Sequence, residues 1–133
     1  MNFWELLFGT GNRVDRNNPP PQSRQRYQVF TYRTEDGDAY FKFSYHWVGN
    51  GYEIDIHEQP SYGGRNADSE TAHWLISRRD ANRKICIKRN ALPKTLEDAK
   101  KFSMAFAELT WEYIKTGVSI DSQVAMNHQN KNT

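Results

Sequence analysis

"YQVFTYRTEDGDAYFKFSYHWVGNGYEIDIH", from Tyr27 to His57, decides the fold. Asp36-Gly37 and Asn50-Gly51 are hairpin signals, each flanked by alternating residues of high β-propensity. With two-residue turns at these points, Tyr32 faces Phe41, Phe30 faces Phe43, Trp47 faces Ile54 and Tyr45 faces Ile56. All four pairs fall on one side. The other side carries Thr31, Arg33, Lys42, Ser44, His46, Glu53, Asp55 and His57. A one-residue slip would exchange the faces, so agreement between two independent hairpins predicts a three-stranded meander with an aromatic inner face. Sliding the second turn to Gly49-Asn50 leaves the facing unchanged.

Working outward, "TAHWLIS" from Thr71 and "KICIK" from Lys84 read as two more strands joined by "RRDANR". Pairing Ile76 with Ile85 and Trp74 with Ile87 puts apolar groups on one side and His73, Leu75 and Cys86 on the other. Cys86, between isoleucines on an interior strand, reads as an inert thiol. A helix is predicted from Leu96 to Thr116, with Thr95 as N-cap, Glu97 and Asp98 at the positive end of its dipole, and Gly117 as the stop. Ala99, Phe102, Phe106, Leu109 and Tyr113 form its core-facing stripe. A second row, Met104, Ala107, Trp111 and Ile114, widens the apolar arc beyond what one sheet face covers. Met104, Trp111 and Ile114 are therefore a candidate surface for a homodimer or a partner protein, unless the N-terminal segment covers them. The predicted class is α+β: an antiparallel meander sheet of four to five strands packed on one face by the long C-terminal helix, optionally joined by a short N-terminal helix.

At 133 residues the chain has the size of one domain. The segmentation expected is a short apolar stretch at 1–8, a Pro-rich linker at 9–26, a single α+β domain at 27–117 and a flexible tail at 118–133. Phe3, Trp4, Leu6, Leu7 and Phe8 either dock on the domain or anchor a partner. The single cysteine excludes an internal disulfide, and no Cys/His grouping has zinc-finger spacing. Neither a signal peptide nor a transmembrane run is recognisable, so a cytoplasmic setting without membrane contact is expected. Eighteen basic against 16 acidic residues give +2, too mild a charge to demand a polyanionic partner. Aromatic residues, at 14%, exceed what a small core requires, which points to a contact surface.

Three constellations compete for function. The first is "HEQPSYGGRNADSETAH", His57 to His73, in which Pro60, Gly63 and Gly64 shape the backbone into a potential anion nest. Arg65 adds a charged fork, Tyr62 a stacking face, and His57, Gln59, Ser61 and His73 further polar contacts. Its structural alternative is an ordered Ω-like connection. The second is "EIDIH", which projects Glu53, Asp55 and His57 from one strand face, with His46 opposite and His73 in reach if the fourth strand neighbours the third. His57, Asp55 and His73 would then form a hydrolytic or metal centre, against the alternative of a solvated face with cross-strand ion pairs. No GxSxG, HExxH or P-loop supports catalysis, and no cofactor is implied. The third is the basic hairpin, Arg78, Arg79, Arg83, Lys84, Lys88 and Arg89, which would serve nucleic-acid binding or discourage edge pairing.

"IDIHEQPSYGGR" together with "AELTWEYIKTG" resembles small uncharacterised proteins of bacteria and their phages that carry a similar loop before a terminal helix. The resemblance spans Tyr52 to Gly117 and implies a phage or mobile-element origin but no activity. The strands and the long helix with "EDAKK" also loosely resemble a double-stranded-RNA-binding domain, although the "KKxAK" helix start is absent and Glu97 and Asp98 sit where phosphate would be engaged. The functional expectation is a small non-enzymatic binding protein, an inhibitor or adaptor, that recognises a protein or an anionic small ligand through residues 57–73.

Overall fold

The first hairpin forms in the expected register. In the computed structural model, which describes residues 27–131, β1 (Phe30–Arg33) pairs antiparallel with β2 (Tyr40–Trp47), Phe30 opposite Phe43 and Tyr32 opposite Phe41. The expectations for segments 1–8 and 9–26 lie outside the described residues. β3 (Tyr52–Glu58) continues the meander. Here the turn centres on Gly49-Asn50: Val48 N–H donates to the Gly51 carbonyl at 2.9 Å, and Gly49 takes the positive φ of 99°. Tyr45 consequently faces Ile54 and Trp47 faces Tyr52, a two-residue displacement that keeps every side chain on its expected face. Gly51 serves a different need. A Cβ there would lie 2.5 Å from Leu92 Cβ, because residues 92–93 pass against it and Tyr52 N–H donates to the Pro93 carbonyl at 2.8 Å.

The sheet order is β1-β2-β3-β5-β4, so the last hairpin attaches through β5 (Arg83–Ile85) and leaves β4 (Trp74–Ile76) at the edge. Its register pairs Trp74 with Ile85 and Ile76 with Arg83. The expected pairing of Ile76 with Ile85 is thereby corrected: Ile85 is in the core, whereas Ile76 is 77% exposed at the edge. Thr71 does not begin a strand either. Asp68 Oδ1 accepts from Thr71 N–H at 2.8 Å and caps a short helix, α1 (Ser69–Ala72), which ends on His73 in the left-handed conformation.

α2 (Leu96–Thr116) has the predicted bounds. Thr95 Oγ1 accepts from Asp98 N–H at 3.1 Å, and Gly117, at φ 81°, donates to the Tyr113 carbonyl. Ala99, Phe102, Phe106, Leu109 and Tyr113 are buried in one cluster with Phe41, Phe43, Ile54, Ile56 and Ile85. Each large apolar side chain buried this way contributes about 1.5–3 kcal/mol. The aromatic face of the meander therefore packs on the helix. Within the flexible tail expected at 118–133, residues 120–131 instead form α3 (Ile120–Lys131), whose Ile120 is fully buried and whose Gln123 amide donates to the Leu109 carbonyl at 3.0 Å; residues 132–133 lie outside the described residues. No helix among the described residues is long and apolar enough to cross a membrane.

Candidate functional site

The polar face is solvated at Thr31, Arg33 and Lys42, as the simpler sequence reading has it, but over β3 and β5 it is covered. Ser44, Glu53, Asp55, Ser77 and Lys84 are all buried, with Asp55 at 0% and Glu53 at 1% exposure. The cause is the β4–β5 connection, which folds back over β3. Asn82 adopts φ 67°, the turn closes with Ser77 N–H on the Asn82 carbonyl at 2.8 Å, and Arg79 is delivered onto the two carboxylates. Its Nε and Nη2 hold Asp55 Oδ2 and Oδ1 at 2.7 and 3.0 Å, and Nη2 also reaches Glu53 Oε1 at 2.6 Å. Lys84 Nζ takes Glu53 Oε2 at 2.8 Å, and Ser77 Oγ donates to Asp55 Oδ1 at 2.9 Å. Burial opposes the Arg79 charge, but Asp55 and Glu53 outweigh it and hold the guanidinium above its ordinary range. Two buried anions thus meet the buried Lys84 and the partly buried Arg79, and this pairing offsets the cost of taking the carboxylates out of water.

Beside this network, Ser44 Oγ lies 2.7 Å from Nε2 of both His46 and His57. A bulge in β3 opposite Lys42/Phe43 helps place His57 there. The Tyr27 ring covers both imidazoles, with centroids 4.8 and 5.5 Å away. Burial pushes His46 down to about 4, against the attraction of Asp55 and with help from Arg79 and His57; burial likewise lowers His57. Serine, imidazole and carboxylate are therefore together, but not as a nucleophilic triad. His46 uses the same nitrogen, Nε2, toward Ser44 and toward Asp55 Oδ2 at 3.4 Å, whereas a relay needs one nitrogen for each. No three His, Cys, Asp or Glu side chains among the described residues form a group that could hold a metal ion.

His73 lies apart from His57. With β4 at the edge, its Nε2 meets Asp121 Oδ1 of α3 at 2.7 Å. The 57–73 segment is an ordered connection docked on α2. Arg65 directs its guanidinium at the Ile114 and Lys115 carbonyls, 3.3 and 3.4 Å away, and so caps the helix end. Tyr62 packs against the core and beside Tyr113, whose hydroxyl donates to the Asn66 carbonyl at 2.8 Å. Gly63 N–H donates to Ser61 Oγ and Arg65 N–H to the Tyr62 carbonyl, so these donors point into the loop rather than into a nest; Gly64 is exposed.

The basic residues are likewise dispersed. Lys84 is buried, Arg79 is partly buried and bonded to Asp55 and Glu53, and Arg83 lies over the Trp74 ring at 4.2 Å. Arg78 is exposed, while Lys88 and Arg89 are half-buried. In the second helix row Met104 is exposed, Ile114 is half-buried, and Trp111 donates its indole N–H to Asp36 Oδ2 at 2.7 Å. Cys86 is buried.

Sequence reasoning did not identify a groove of about 200 Å³ where β2 begins and β3 ends, lined by Asp38, Ala39, Tyr40, Glu58, Gln59, Pro60 and Trp111. Its one sequence signal was the surplus of aromatic residues. Tyr40 is 40% exposed and donates its hydroxyl to Glu58 Oε1 at 2.9 Å. No family model, no curated protein and no solved structure matches this chain.

Proposed function

We propose that this protein is a non-enzymatic binding module, an adaptor or inhibitor, that engages a protein partner through the groove at the root of the 57–73 segment. The groove carries this reading: partly exposed aromatic rings, a proline and carboxylates converge on one concavity. The residues suited to catalysis favour no competing reading, because Ser44, Asp55 and Glu53 are buried and bonded to one another's neighbours. An anionic ligand at Arg65 is less favoured, since that guanidinium is already directed at helix carbonyls. The test compares the tagged full-length chain with an Asp38→Ala/Tyr40→Ala variant, both exposed positions, in quantitative capture from the source cell. A partner held by the parent and lost from an equally stable variant supports the reading. Identical partner profiles for the two proteins refute it.

A further inference from the structure

We infer that the groove accepts one cationic side chain, an arginine or lysine presented by the partner; this rests on the groove being the binding site. At about 200 Å³ it is smaller than the roughly 300–1,000 Å³ of small-molecule sites, which suits a single long side chain. Its lining contains two carboxylates, Asp38 and Glu58, and no basic residue. Glu58 is matched by Lys42 at 3.2 Å and by the Tyr40 hydroxyl. The Asp38 carboxylate has no partner among the described residues. An anionic guest would meet that carboxylate with no cationic residue in the lining to offset it, and an aliphatic guest would desolvate it without compensation. A guanidinium or ammonium satisfies it, and aromatic residues in the lining, Tyr40 and Trp111, are compatible with the same charge.

The chain already uses this chemistry at the groove's margins. Lys115 Nζ lies 2.9 Å from Asp36 Oδ2 and 5.7 Å from the Trp111 ring centroid. Lys42, paired with Glu58, lies 5.9 Å from the Tyr40 centroid. In both cases a cation sits within reach of a carboxylate and a ring. The groove offers a third such position, with a carboxylate, Asp38, that pairs with no cation among the described residues.

The experiment is a ¹H–¹⁵N NMR titration of the full chain with N-acetyl-arginine amide, with the norleucine and glutamate analogues as controls. Arginine should shift the amides of Asp38, Tyr40 and Gln59 and the Trp111 indole, weaken steeply with added salt, and bind at least tenfold more weakly to Asp38→Asn. Absence of these shifts, or an unchanged affinity in Asp38→Asn, overturns the inference. Norleucine binding as well as arginine overturns it too, while leaving the groove as a binding site. Failure of the groove reading itself is reported separately, by Asp38→Ala/Tyr40→Ala capturing the same partners as the parent.

Discussion

Arg79→Leu should be among the most damaging single substitutions in the molecule. Arg79 contributes three N–H···O contacts of 2.6 to 3.0 Å to two carboxylates that are 0% and 1% exposed. Without it, Asp55 retains Ser77 Oγ and the more distant His46, while Glu53 retains Lys84. Removing one partner of a buried ion pair costs about 3–5 kcal/mol, a fifth or more of the roughly 5–15 kcal/mol that holds a typical domain together. With a urea m-value of about 1–3 kcal/mol per molar, the unfolding midpoint should fall by about 2 M. Arg79→Lys should be intermediate, because it keeps the charge but not the bidentate fork. Adding Asp55→Asn to Arg79→Leu should cost less than the sum of the single variants, since no ionised carboxylate is then stranded at that position. Equilibrium urea unfolding at neutral pH reads the parent and the four variants, Asp55→Asn alone included. A loss under about 1 kcal/mol for Arg79→Leu, with additive doubles, would refute the claim that these carboxylates depend on Arg79.

Two further outcomes follow from the geometry. His46 titrates near its ordinary value when unfolded and at about 4 when folded, so between these pH values the unfolded chain binds more protons. Stability from this residue is present above about pH 6.5 and is lost as pH drops toward about 4, by about 1–3 kcal/mol once solvent screening is allowed for; His46→Asn should flatten that slope in urea melts across the range, and an unchanged slope would exclude His46 as its source. Gly51→Ala forces a methyl group to within 2.5 Å of Leu92 Cβ against a backbone-backed segment, and should lose about 1–3 kcal/mol in thermal unfolding, whereas wild-type stability would mean that residues 92–93 yield freely.

The features legible in the sequence were those set by neighbours along the chain. Alternation around Asp36-Gly37 placed Phe30 opposite Phe43, and Thr95 and Gly117 bounded the long helix at its observed residues. Facing also survived where register did not: the second and third hairpins each moved by two residues, which a period of two cannot detect. The Asp68 cap was written in the sequence as well, but the β-propensity of "TAHWLIS" concealed it.

For the candidate sites, residue types were visible and their company was not. Glu53, Asp55 and His46 were correctly grouped on one face by strand periodicity, and His57 joins them at the bulge. Their burial depended on Arg79, 24 residues from Asp55, arriving on a turn whose path no local pattern specifies. Arg65 and Tyr62 read equally well as ligand contacts or as structural residues, until the end of α2 came within reach of the guanidinium. The sequence by itself determined the elements, their caps and which side of each strand is apolar, because those follow from short-range sterics and hydrogen bonding. Only the tertiary structure decided that β5 sits beside β3, that Arg79 closes over the buried Glu53, Asp55 and Lys84, and that Tyr40 and Trp111 border one groove, since each depends on desolvation and contact between distant parts of the chain.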